Sequence, residues 1–189
     1  MAEDRATRVA HRAAILFLTG LSGSGKSTLA LGLQTALRNA GILTTIVDGD
    51  VLRTGLCKDL GFSAEDRREN LRRATEMALH LADVGVVVIV ALISPFQAAR
   101  AAVAARAKEK GVLFAEVFVN APLAVCERRD PKNLYKRARA GEIAAFTGID
   151  SPYEAPLAPG LELRTDLESV DQSVAKLTRL SLDLVRLSS

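Results

Sequence analysis

Short apolar runs alternate along this chain with longer stretches whose apolar positions recur at helical spacing, and the alternation predicts repeated β–α units. Residues 15–18, 43–47, 86–92 and 112–119 read as strands, and 161–163 is a candidate last one. Residues 86–92 are mostly β-branched, which suits a central strand buried on both faces. Helical spacing covers residues 27–39, 96–110, 123–129 and 167–187, the last with Val170, Val174, Leu177, Leu180 and Leu184 on one face. Ser63 followed by Glu65 and Asp66 opens a further helix that runs to about Asp83, with Gly85 ending it as Gly41 ends the first. The expected fold class is a three-layer α/β sandwich: a parallel sheet with helices on both faces and right-handed crossovers. Ligands in such sheets sit at the carboxyl ends of the strands, so the loops after Leu18, Val47, Leu92 and Val119 should converge on one site.

The turn after the first strand carries the most specific chemistry. Gly20, Leu21, Ser22, Gly23, Ser24, Gly25, Lys26, Ser27 and Thr28 fit the phosphate-binding P-loop at every specified position, between an apolar strand and a helix. The glycines let the backbone curl and turn its N–H groups inward as an anion nest, and the helix start adds the positive end of its dipole. Lys26 should reach the β- and γ-phosphates, and the Ser27 hydroxyl should ligate Mg²⁺. The expected ligands are therefore ATP and Mg²⁺.

Length and composition narrow the class. At 189 residues the chain reads as a single domain over residues 1–189, with a flexible terminus at 1–12. A net charge of +3, from 25 basic and 22 acidic residues, is too small to argue for nucleic acid, and suits an anionic small-molecule substrate. No apolar stretch is long enough to span a bilayer, and the polar start lacks the core of a signal peptide, so no membrane association is expected. Cys57 and Cys126 have no metal-ligand spacing and read as reduced thiols of a cytoplasmic enzyme. Residues 131–159 break the periodicity but keep Tyr135, Phe146 and Tyr153 among their charges, which suits a mobile lid over the phosphates.

Four further motifs should face the P-loop. Asp48-Gly49-Asp50 ends the second strand, and Asp50 is the expected carboxylate for an acceptor hydroxyl and for Mg²⁺; a plain helix N-cap is the alternative. Arg53 follows it. Phe62 precedes a helix on which Arg67 and Asn70 share a face, a set suited to stacking on a ring and binding a charged substrate. Ile93-Ser94-Pro95 ends the central strand, where Ser94 is either a site hydroxyl or only a turn residue. Cations from Arg128 to Lys136 lead into the Phe146-Thr147-Gly148 stretch and can neutralise charge on a transferred phosphoryl group.

With these motifs in place the chain closely resembles the adenylylsulfate kinases (APS kinases) from about Leu16 to Asp166. The P-loop, Asp-Gly-Asp, Asp-Leu-Gly-Phe-Ser, Asp-Arg-Arg-Glu-Asn, Ile-Ser-Pro and Phe-Thr-Gly-Ile-Asp-Ser-Pro-Tyr-Glu carry the resemblance. It implies transfer of the ATP γ-phosphate to the 3′-hydroxyl of adenosine 5′-phosphosulfate (APS), giving PAPS and ADP in sulfate activation. By the same resemblance Asp50 is the catalytic carboxylate, and Arg53, Phe62, Arg67, Asn70, Ile93, Lys132, Leu134 and Phe146 line the APS pocket, with Thr147 and Gly148 beside them. Arg128 belongs near the ATP adenine, and Ser94 matches a serine that some members phosphorylate. Family members are often dimers, so the resemblance admits a homodimer and a functional link to ATP sulfurylase.

The chain departs from the family pattern at four positions. Asn133 stands where Gly is usual, Gln97 and Ala99 where Arg and Asp are common, and Gly160 where Glu is frequent. Asn tolerates left-handed geometry better than most residues. Two other classes compete: a P-loop kinase for a sugar or nucleoside, and a non-catalytic nucleotide-binding domain. Lys26, Ser27 and Asp50 are all present, which speaks against the second, and no guanine-reading Asn-Lys-x-Asp occurs.

Overall fold

A computed structural model describes residues 11–186. The expected flexible terminus lies outside the described residues up to position 10. His11 is buried, and the Arg12 N–H donates to Val185 O at 2.8 Å, which ties the start of the described chain to its end.

Five strands form one parallel sheet: β1 (Ala14–Thr19), β2 (Thr44–Asp48), β3 (Val87–Ala91), β4 (Leu113–Asn120) and β5 (Leu161–Arg164), in the order β2-β3-β1-β4-β5. Consecutive side chains of a strand point to opposite faces, so a strand covered on both sides must be apolar throughout. All six residues of β1 are buried. Its Ala14, Leu16 and Leu18 pack on one face with α1 (Lys26–Asn39) and α7 (Val170–Val185), while Ile15 and Phe17 pack on the other with α3 (Ala64–Asp83) and α4 (Gln97–Glu109). The three-layer sandwich expected from the sequence is the observed fold. Three short helices complete it: α2 (Gly49–Thr54), α5 (Leu123–Arg129) and α6 (Leu134–Arg139).

The cap residues act as expected at α3, where the Ser63 hydroxyl accepts the Asp66 N–H at 3.1 Å. Two elements differ from expectation. α7 begins at Val170 rather than 167, because Ser169 and Gln172 close a reciprocal capping box. Its buried stripe is therefore Ser173, Leu177, Ser181 and Val185, and Val170 is left half exposed. Within residues 131–159, α6 forms a regular turn and a half that periodicity alone did not reveal. Asn133 starts it at φ 53, and the Asp130 carboxylate accepts the N–H groups of Tyr135 and Lys136. The carboxylate supplies the acceptor that Asn133, with no side-chain cap bond, does not.

Candidate active site

The P-loop joins β1 to α1, and the carbonyls of residues 20–24 are each engaged by a side chain. The Lys26 ammonium donates to Gly20 O at 2.9 Å and Leu21 O at 2.8 Å. Tyr135 donates its hydroxyl to Ser22 O at 3.0 Å, Arg129 its guanidinium to Gly23 O at 3.4 Å, and Thr165 its hydroxyl to Ser24 O at 2.7 Å. With these oxygens engaged, and apart from the Gly20 and Ser24 N–H groups, which bond Ile93 O and Leu21 O, the N–H groups of the loop and of the first turn of α1 are left for an anion. Gly20 has no room for a side chain: a Cβ there would lie 2.3 Å from Val119 O. Burial lowers the Lys26 ammonium to about 8, so this cation is held in place at a desolvation cost that an incoming phosphate offsets.

Asp48 meets the P-loop from the end of β2. Its Oδ2 accepts the Ser27 hydroxyl at 2.7 Å and its Oδ1 accepts the Asp50 N–H at 2.8 Å, capping α2. The carboxylate beside Ser27 is thus Asp48, two residues before the one expected there. Asp50 lies in the first turn of α2, is exposed, and pairs instead with Lys132. Strand passes directly into helix between them, and the two carboxylates take different partners, Ser27 and Lys132. Among the described residues no group of three or more His, Cys, Asp or Glu side chains could hold a metal. Ser27 and Asp48 offer two hard oxygens, which fits Mg²⁺, an ion that keeps several waters and takes its other ligands from phosphates.

A cleft of about 1120 Å³ runs from the P-loop to the far side of this carboxylate pair. Residues 22–28 of the P-loop line it, as do Asp50, Arg53, Phe62, Arg67, Asn70, Ile93, Ser94, Lys132, Leu134, Phe146 and Thr147. Gly20 and Leu21 are outside its lining. Gly148, at φ 94, packs against Leu21 and Leu123, and a Cβ there would meet them at 3.1–3.2 Å, so its place is structural support. Arg128 is exposed and outside the lining; Arg129, its neighbour on α5, lines the cleft instead.

The half of the cleft away from the P-loop is held in shape by its arginines. Arg53 donates to Gly61 O at 2.6 Å and Leu60 O at 3.2 Å, and its guanidinium lies 4.4 Å above the Phe62 ring. Arg67 donates to Phe62 O at 3.0 Å, to the Thr147 hydroxyl at 2.8 Å and to Ala145 O at 2.6 Å, bridging α3 and the 145–147 stretch. Phe146 is buried edge-on to Tyr135, with ring centres 5.0 Å apart. Asn70 is buried, and its Oδ1 has no partner among the described residues. A buried amide oxygen without a donor is costly unless a ligand supplies one. Ser94 sits at the end of β3 with φ 45, a buried residue in the left-handed region.

The sequence reading gave Asp48, Tyr135 and Arg129 no role at the P-loop and did not name Thr165. Asp48 was legible as the last residue of a strand beside the P-loop. The other three reach Ser22, Gly23 and Ser24 from more than a hundred residues away and carry no local pattern.

Comparison with known proteins fits this geometry. Residues 12–164 match the family model of adenylylsulphate kinase. The chain belongs to the adenylylsulphate kinase family. It is 53% identical over 174 residues to an adenylyl-sulfate kinase of Shewanella amazonensis, covering 92% of this chain and 87% of that one. An adenylyl-sulfate kinase of Citrobacter koseri is 52% identical over 184 residues, 97% of this chain and 88% of the relative. An APS kinase of Mycobacterium tuberculosis, solved in complex with AMPPNP and APS, superposes with a TM-score of 0.87 at 49% identity, over 90% of this chain and 98% of that one. In this adenylylsulphate kinase family member, Asn133 takes the left-handed backbone, as the tolerance of Asn for that region allows.

Proposed function

We propose that this kinase transfers the γ-phosphoryl group of ATP to the 3′-hydroxyl of adenosine 5′-phosphosulfate, giving PAPS and ADP. The observation that carries the reading is the single cleft in which the P-loop and the Arg67–Asn70–Phe146 wall face each other across Asp50. The 3′-oxygen attacks the γ-phosphorus, the bond to the β–γ bridging oxygen breaks, and the hydroxyl proton passes to Asp50. Lys26 leaves Gly20 O and Leu21 O for the phosphates. Arg129 and Thr165 border the P-loop end of the cleft, where the ATP base and ribose fit. Phe62 and Phe146 supply ring surfaces for the adenine of the acceptor, and Asn70 Oδ1 accepts a donor from it. Ser27 and Asp48 would hold Mg²⁺, which when bound would neutralise charge on the phosphates.

Residues 131–159 act as the lid. Lys132 ties them to Asp50 and Arg67 ties their middle to α3, so the segment from Pro131 to Thr147 already reaches the cleft. Among the described residues no helix is long and apolar enough to cross a membrane. Cys57 and Cys126 are buried free thiols, which suits the cytoplasm, and the family resemblance admits a homodimer and a functional link to ATP sulfurylase.

ADP release by the purified chain tests the reading, with APS run beside gluconate, shikimate and AMP. APS-dependent release well above the others is expected; equal rates with another acceptor would reassign the substrate.

A further inference from the structure

The wall formed by Ile93 and Ser94 is held from behind by a residue that does not touch the cleft. A serine in the left-handed region costs on the order of 1 kcal/mol and persists only where its surroundings hold it. Arg100, on α4, is 2% exposed and supplies that hold. Its guanidinium donates to Ser94 O at 2.8 Å, to Glu154 O at 2.8 Å and to Glu116 Oε1 at 2.6 Å. The flanking carbonyls are engaged as well. Thr19 donates its hydroxyl to Ile93 O at 2.7 Å, and the Glu154 N–H donates to Pro95 O at 2.8 Å. Because the Thr19 proton goes to Ile93, the Tyr153 hydroxyl is the donor in its 2.9 Å contact with Thr19. Burial raises that phenol to about 12, which keeps it protonated.

The same residues bind residues 150–154 to the loop after β3. The Glu154 carboxylate accepts the Gln97 N–H at 2.7 Å, and Tyr153 stacks on Phe118 with centres 5.9 Å apart. Asp150 accepts the N–H groups of Ala145 and Phe146 at 2.8 and 2.5 Å, which extends the unit to the aromatic wall of the cleft. We infer that Arg100 is a positioning residue for the acceptor: it locks the Ile93–Ser94 wall and the Phe146–Thr147 wall into one rigid unit, and so sets acceptor affinity without touching the acceptor. A planar fork reaching three acceptors in different directions is something an ammonium cannot reproduce.

The identity of the acceptor rests on the proposed kinase reading; the coupling of the two walls does not. Two variants of the full chain, Arg100→Lys and Tyr153→Phe, test both, by steady-state kinetics and by hydrogen exchange of backbone amides. Arg100→Lys raises KM for APS about tenfold, the effect of one charge-assisted hydrogen bond, and leaves KM for ATP within about twofold. Its amides at 96–97 and at 145–154 exchange faster together, while those of the P-loop keep their protection. Tyr153→Phe preserves volume and moves both readouts the same way by about threefold, which reports the coupling even if Arg100→Lys fails to fold. An unchanged KM for APS in both variants overturns the inference, as does an equal rise for ATP and APS or faster exchange in only one of the two segments. A wild-type chain inert toward APS removes the kinase reading alone, and the exchange data then decide the coupling.

Discussion

Ser27 donates its hydroxyl to Asp48 at 2.7 Å, while Asp50, two residues on, pairs with Lys132 across the cleft. The two carboxylates of one short motif therefore serve different partners. Asp48→Asn keeps an acceptor for the Asp50 N–H, so the cap of α2 survives, but it removes the charge beside Ser27. Turnover should fall by about 10²-fold or more, with a raised Mg²⁺ requirement. Asp50→Asn should lose turnover by a similar factor with no change in the Mg²⁺ dependence. Titrating the rate of each variant with Mg²⁺ separates the roles, and a Mg²⁺ shift in Asp50→Asn alone would exchange them.

Burial holds the Lys26 ammonium at about 8, below its ordinary 10.5. A folded pKa below the unfolded one means that the unfolded chain binds more protons between pH 8 and 10.5. Stability contributed by this group therefore rises through that window, and the desolvation cost is fully present below pH 8. Bound phosphates favour the charged form, so ATP binding at pH 9 should take up a proton, and affinity should fall as pH rises above 8. Calorimetry in two buffers of different ionisation enthalpy measures the uptake, and Lys26→Met should abolish it. Binding at pH 9 with no proton uptake in the wild type would contradict this.

What the sequence made legible was whatever depends on local pattern. The apolar strand runs, the Ser63 cap and the P-loop were readable because each is a rule about neighbours in the chain. Asn133 belongs with them, since its tolerance of left-handed backbone anticipated the φ of 53. The start of α7 was misplaced because Leu167 and Val170 continue the apolar spacing although Ser169 and Gln172 cap the helix behind them. Arg67 shows the limit in the site. Its helical face was readable, but its bonds to Ala145 and Thr147 span nearly eighty residues and leave no periodic trace.

That bridge makes Arg67 the residue on which the proposed acceptor half depends. Arg67→Ala removes the donors to Phe62 O, Ala145 O and Thr147 at once. Apparent APS binding should weaken by about 1.5–3 kcal/mol, the worth of a charge-assisted hydrogen bond, and ATP affinity measured without APS should barely change. Equilibrium binding of each ligand to the variant checks both halves. Weaker ATP binding with APS untouched would invert the assignment of the two ends of the cleft.

Ser94 decides whether the phosphoryl group moves once or twice. Its backbone is fixed through Ser94 O by Arg100, and Thr19 reaches the same carbonyl at 3.5 Å. That arrangement holds the residue as part of a wall. In direct transfer Ser94 only helps position the acceptor, and Ser94→Ala should keep most of the activity. The left-handed backbone favours a small residue but still strains alanine, so a modest stability loss of about 1 kcal/mol should accompany it. Incubation of the wild type with ATP alone should leave no obligatory phosphoserine. Intact mass after that incubation, followed by a chase with APS, distinguishes the routes. A stoichiometric phosphate on Ser94 that passes into PAPS, with an inactive alanine variant, would establish a covalent intermediate and a two-step exchange.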